Sequence, residues 1–139
     1  GDRTMNQLSE EQLFYEPVKD INSVAIIAKH MAGNMLSRWT DLFTSDGEKE
    51  WRNRDSEFEL EEINTRDELL KKWDQGWQCL FKALDSINED NFHQLVYIRN
   101  MGHTIPDAVN RQMSHYSYHV GQMVYLGKLI KGDNLCVQM

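Results

Sequence analysis

The chain has 139 residues, 40% hydrophobic and 27% charged, enough for one domain (1–139) with a buried core. Its formal net charge of -7 argues against attraction to phosphate backbones or anionic membranes, so neither nucleic acid nor membrane is an expected partner. Its two cysteines, Cys79 and Cys136, stand at neither disulfide-framework nor metal-motif spacing, which points to a reducing, cytoplasmic setting.

Thr4 to Tyr15 places Met5, Leu8, Leu13 and Phe14 around Glu10 and Glu11 and predicts one short helix closed before Pro17. From Ser23 to about Phe43, Val24, Ile27, Met31, Met35, Trp39 and Leu42 recur at steps of three and four. That spacing predicts a long amphipathic helix, capped by Asn22 or Ser23 and stopped by Ser45-Asp46-Gly47. The longest apolar run, Val24 to Ala28, is too short to span a bilayer, and no basic, then apolar, stretch opens the chain. A soluble, unprocessed protein is expected, while Gly1-Asp2 in place of an initiator Met leaves room for an upstream segment.

Residues 46–64 carry dense mixed charge around Trp51, Phe58 and Leu60, which predicts an ordered loop anchored by those three side chains. Thr65 and Glu68 then form a capping box. Leu69, Trp73, Trp77, Leu80, Phe81, Leu84 and Ile87 trace the apolar face of a second long helix out to Asn88. Leu95-Val96-Tyr97-Ile98, a polar Arg99-Asn100-Met101-Gly102 turn and His103-Thr104-Ile105 predict a short hairpin or extended loop. Pro106 fits the first turn of a last helix running to about Ile130, with Ala108, Met113, Val120, Met123, Val124 and Leu126 inward and Gly132 as its stop. Three long helices, one short one and little strand predict an all-α helical bundle.

His115 and His119, four residues apart on that last helix, project from one face. A facing helix carrying His30 would complete a three-nitrogen metal site with an open position. Tyr116, Ser117 and Tyr118 lie between the pair, so the helix lacks the glutamate that serves as base in His-Glu-x-x-His proteases. The plainer alternatives are a chance surface repeat for the pair and a hydrogen-bonded core residue for His30.

His30 shares a helical stripe with Ile27, Asn34, Arg38 and Asp41, and the stripe through His115 and His119 continues to Gln112 and Gln122. Polar stripes inside apolar helices suggest a shared cavity. The alternative is that Asn34, Gln112 and Gln122 flank their helices and face water. Arg52 and Arg54 offer forked hydrogen bonds to a carboxylate or phosphate, against a plainer role pairing with Asp55 and Glu57. His93 and His103 are expected as loop histidines, and the seven methionines as core filler.

Lys29-His30-Met31-Ala32-Gly33-Asn34-Met35, Glu50-Trp51-Arg52-Asn53-Arg54-Asp55 and Ser114-His115-Tyr116-Ser117-Tyr118-His119-Val120-Gly121-Gln122 are similar to segments of the DinB/YfiT-like metalloenzymes, and together the resemblance spans nearly the whole chain. The resemblance implies a four-helix bundle in which one histidine of the second helix and two of the last hold a divalent metal, often zinc or nickel. Those positions map to His30, His115 and His119. It also implies frequent homodimers, and relatives that transfer thiols such as bacillithiol or isomerise with a thiol cofactor. The loop Trp51-Arg52-Asn53-Arg54-Asp55 resembles the branch without an assigned activity, and the first helix is shorter than the family pattern.

Three neutral imidazoles leave a divalent ion its charge and an open position, where a water or thiol loses its proton more readily. Two chemistries follow: transfer of a low-molecular-weight thiol to an electrophile, or hydrolysis of an amide or ester. A hydrolase needs a nearby acid or base, and only Asp41 lies on the mapped stripe. The expectation is therefore thiol transfer onto a small-molecule substrate, with Asn34, Arg54 and Gln122 as its contacts. The competing class is a non-enzymatic metal- or ligand-binding stress protein; with no fourth ligand evident beyond His93 or His103, an open site is the better reading. A DNA-damage role rests on the family's historical name alone and conflicts with the acidic charge.

Overall fold

A computed structural model describes residues 1–19, 21–59 and 63–136. The chain runs through α1 (Asp2–Met5), α2 (Glu10–Phe14), α3 (Val24–Trp39), a 3-10 turn (Asp55–Phe58), α4 (Arg66–Asp85), a hairpin of β1 (Leu95–Ile98) and β2 (Met101–Thr104), and α5 (Ile105–Lys131). The fold is mostly helical. Among the described residues, no helix is long and apolar enough to cross a membrane.

The segment expected as one helix from Thr4 to Tyr15 forms two. Ser9 accepts from the Gln12 N–H and the Gln12 side chain returns to the Ser9 N–H, a capping box that starts α2 afresh and leaves Asn6–Leu8 as the bend. Met5, Leu8 and Leu13 are nevertheless buried as their spacing requires.

α3 is the spine. Every one of its residues but Leu36 is buried, because α4 and α5 both pack on it and the 3-10 turn and α2 cover what remains. Ser23 caps it by accepting from the Ile26 N–H. It ends at Trp39, earlier than Ser45-Asp46-Gly47 suggested: Thr40 leaves helical geometry with ψ 129°, and Asp41 follows at a left-handed φ of 49°. The Gly47 carbonyl then accepts from Ser37 Oγ and Arg38 Nη1, so the expected stop sequence packs beside the last helical turn. α4 approaches α3 closely at Gly76, where a Cβ would meet the Ala32 backbone at 3.1 Å.

Three apolar positions face the other way from expectation. Trp51 (61% exposed), Phe81 (54%) and Met113 (60%) lie at the surface, while Tyr116 takes the inward place on α5. The core accommodates the Tyr116 hydroxyl by pairing it, accepting from Trp39 Nε1 at 2.9 Å and donating to Asn34 Oδ1 at 3.3 Å. Phe58 is half-exposed, and Leu60, the third proposed anchor, lies outside the described residues.

The hairpin pairs Leu95 with Thr104 and Ile98 with Met101. Its turn is two residues, Arg99 and Asn100, both at positive φ, instead of the expected four; Met101 and Gly102 belong to β2. Asp46 holds it in place, accepting from the N–H groups of Arg99 at 2.9 Å and Asn100 at 2.7 Å.

Candidate metal centre

The loop after α3 is fixed to that helix at both ends. Lys29 donates to the carbonyls of Ser56 and Glu59, while Ser37 and Arg38 hold Gly47. Between these points Glu57 comes down on His30. Its Oε2 accepts from His30 Nδ1 at 2.9 Å, and Arg52 donates through Nε to Oε1 at 2.8 Å and through Nη2 to Oε2 at 2.9 Å. Gly33 makes the approach possible, because a Cβ there would collide with the Glu57 carboxylate. Burial pushes the Glu57 pKa up, but the hydrogen bonds from His30 and Arg52, with the charge of Arg52, outweigh it and hold the carboxyl below its ordinary value. Phe58 stacks on the His30 ring with centroids 5.0 Å apart.

α5 supplies the other two imidazoles. Thr104 caps it, with its oxygen accepting from the Asp107 N–H, and Pro106 sits in the first turn. Ten residues on from Ile105 the helix brings His115, and one turn later His119, opposite His30. His115 Nε2 lies 3.4 Å from His30 Nε2 and 3.2 Å from His119 Nε2, and the ligand atoms of all three lie within 4.8 Å of one another. His119 Nδ1 is tied to Gln122 Oε1 at 2.8 Å.

These contacts assign the ring protons. An amide oxygen and a carboxylate only accept, so His119 and His30 carry hydrogen on Nδ1 and, when neutral, turn bare Nε2 lone pairs toward His115. A proton on His115 Nε2 can satisfy only one of them, and a cation among the three satisfies all. Two nitrogens bound to one tetrahedral zinc at about 2.0–2.1 Å are separated by about 3.3 Å, which is the spacing observed between neighbouring Nε2 atoms. Burial, then the charges of His119 and His30, lowers the His115 pKa to about 4; burial also lowers that of His119, against the hydrogen bond to Gln122. Both rings are held neutral at pH 7, the form a metal requires. The residues present fit a divalent cation.

Of the proposed substrate contacts, Asn34 and Arg54 line a cavity of about 150 Å³ that His30 and His115 share. Gln122 does not reach it. That side chain is engaged with His119 and with the Tyr118 hydroxyl, and it borders an apolar cleft with Ile27 and Leu126. Arg52 does pair with Glu57, and with Glu48 in place of Asp55. Asp41, the one carboxylate on the expected stripe, lies beyond the end of α3 in a separate cavity with Cys79. Gln112 is buried (2% exposed) and not a water-facing flank. His93 is exposed in a turn, and His103 sits in β2 apart from the triad.

Glu57 is the functional residue that sequence reasoning missed. The general need of a metal-ligating histidine for an acceptor on its other nitrogen was a usable signal. Nothing in the spacing, however, separates Glu57 from its neighbours Asp55 and Glu59.

The chain belongs to the family described as protein of unknown function (DUF1572), whose model matches residues 1–138. No curated protein and no solved structure gives a significant match.

Proposed function

We propose that this member of the DUF1572 family is a divalent-metal-dependent enzyme of the DinB/YfiT bundle type that transfers a low-molecular-weight thiol to a small electrophile. In this reading His30, His115 and His119 hold zinc or nickel, and α1 with α2 stands in for the first bundle helix. The observation that carries it is the convergence of three Nε2 atoms, two of them with Nδ1 already committed to an acceptor. A divalent ion among neutral imidazoles keeps its charge and an open position, and there lowers the pKa of a thiol.

The chain's own residues do the rest. Glu57 and Gln122 fix the tautomers and ring orientations, and Phe58 shields one face of His30 from water. Asn34 and Arg54 orient the substrate from the adjoining cavity. The thiol loses its proton, its sulfur forms a bond to the electrophilic carbon, and the proton ends on the leaving group or the neighbouring carbon. Thiol transfer is favoured over hydrolysis because the carboxylate the fold delivers, Glu57, sits on the Nδ1 side of His30 and spends both oxygens on His30 and Arg52. It is not placed to serve as base on the Nε2 side.

Two free cysteines fit a cytoplasmic protein, and the exposed apolar group of Val18, Ile21, Tyr125 and Leu129 fits a homodimer. The test is elemental analysis of protein purified without added metal, beside the triple His→Ala variant. About one ion per chain in the former and none in the latter is expected; negligible metal in both overturns the reading. Thiol conjugation lost in His119→Ala and on chelation marks the enzyme, whereas lost stability without any turnover marks a non-enzymatic metal protein.

A further inference from the structure

The cavity beside the triad collects positive charge out of proportion to the chain. Five arginines line it: Arg38, Arg52, Arg54, Arg99 and Arg111. Three have partners in the fold. Arg38, Arg52 and Arg99 converge on Glu48 at 3.5, 3.2 and 3.1 Å, and Arg52 also holds Glu57. Those contacts pin the hairpin turn and the 46–59 loop to α3, so they serve the fold.

Arg54 and Arg111 serve no such purpose. Among the described residues neither makes an ion pair or a side-chain hydrogen bond, yet both border the same cavity. Among the described residues, five guanidinium groups against the carboxylates of Glu48, Glu57 and Asp46 leave a surplus of two positive charges, in a protein whose net charge is -7. Coulomb repulsion among them disfavours that arrangement unless an anion completes it.

The cavity wall also holds polar atoms without partners. Arg38 is 7% exposed and Gln112 is 2% exposed, and among the described residues both Arg38 Nε and Gln112 Oε1 are buried with no hydrogen bond. A buried polar side chain normally finds a partner, so an unmet donor and an unmet acceptor on one wall describe a ligand with both kinds of group. The space of about 150 Å³ holds roughly five waters' worth of volume and is below the roughly 300–1,000 Å³ of drug-sized pockets. The ligand is small.

We propose that this cavity binds a small organic acid or phosphate, its oxyanion group held by Arg54 and Arg111 and a hydroxyl donated to Gln112 Oε1. Planar forked guanidinium groups suit such an oxyanion better than a diffuse surface charge would. Because His30 and His115 form the inner wall, the acid lies against the triad. Its role as substrate rests on the reading of the triad as a working centre; its binding does not.

The test is calorimetric titration of the full chain as purified with inorganic phosphate and, separately, with malonate, the two probes distinguishing a phosphate from a carboxylate ligand. One of them binds with one site per chain, and affinity falls about tenfold or more in Arg54→Gln and in Arg111→Gln, since each removes a charge-assisted contact. Both arginines are exposed, so the variants are expected to keep the wild-type circular dichroism spectrum. His119→Ala, which disturbs the triad outside this cavity, keeps the anion site even if it loses the metal. No binding of either probe at millimolar concentration overturns the proposal. So does binding that survives both arginine substitutions, or that vanishes in His119→Ala while persisting in them, which would put the anion on the metal.

Discussion

His30 and His119 do similar work from unlike surroundings. The Glu57 and Arg52 side chains behind His30 are 6% and 3% exposed, whereas His119 is half-buried and leans on a neutral amide from its own helix. A carboxylate shares negative charge with the imidazole and makes it a stronger ligand; an amide oxygen fixes the tautomer and adds little charge. If the triad holds a metal as proposed, the α3 side couples its retention to folding, because Glu57 is also the tie between loop and helix. The α5 side can be altered with less consequence for the fold.

The largest break in this asymmetry is expected from Glu57→Ala. It leaves Arg52 buried without its main partner and His30 without an acceptor, and removing one member of a buried charged network costs about 3–5 kcal/mol. Urea unfolding reads that loss, and metal affinity should fall about 10–100-fold with it. A stability change under about 1 kcal/mol would show that the buried pair is not what holds the loop.

Gly33→Ala breaks the same contact without removing a charge. The added methyl occupies the space of the Glu57 carboxylate, so the side chain must withdraw from His30 or the loop must rise. Overpacking of this kind costs about 1–3 kcal/mol, less than deleting the carboxylate, because Arg52 can follow Glu57 outward. Zinc affinity should drop alongside the unfolding midpoint. Weakened stability with wild-type zinc affinity would separate the two roles assigned to Glu57.

This coupling was only half legible in the sequence. The inward face of α3 was readable because Val24, Ile27, Met31, Met35 and Trp39 keep a strict helical step, and His30, Asn34 and Arg38 stood out as polar residues on a neighbouring stripe. Two members of the triad, His115 and His119, were readable from the four-residue step on α5, and His30 came from its polar stripe and the family resemblance. What was not readable depends on contacts between distant segments. The identity of Glu57 as the partner of His30 follows from how Lys29, Ser37 and Arg38 fasten the loop, a matter of tertiary geometry. The arginine cavity likewise joins α3, the loop, the hairpin turn and α5, four pieces whose charges look scattered when written in a line. Trp51 and Met113 misled for a related reason: composition marks them as buried types, but among the described residues no element comes to cover them.

The smallest effect, and the one that sharpens the comparison most, is expected at Gln122. Gln122→Ala removes the acceptor on His119 Nδ1 without exposing core, so the unfolding midpoint should move by less than about 0.5 kcal/mol. Zinc affinity should weaken by roughly tenfold at most, the lower edge of what orienting partners contribute, because a water can take the vacated contact on this half-exposed side. Gln122→Glu asks the sharper question, since it gives His119 the kind of partner His30 already has. If the carboxylate's charge is what distinguishes the two sides, that variant binds zinc more tightly than the wild type while Gln122→Ala binds it less tightly. Equal affinities for the glutamate and glutamine forms, measured by competition with a chromogenic chelator, would mean that Glu57 serves His30 through orientation alone and that the asymmetry lies in burial.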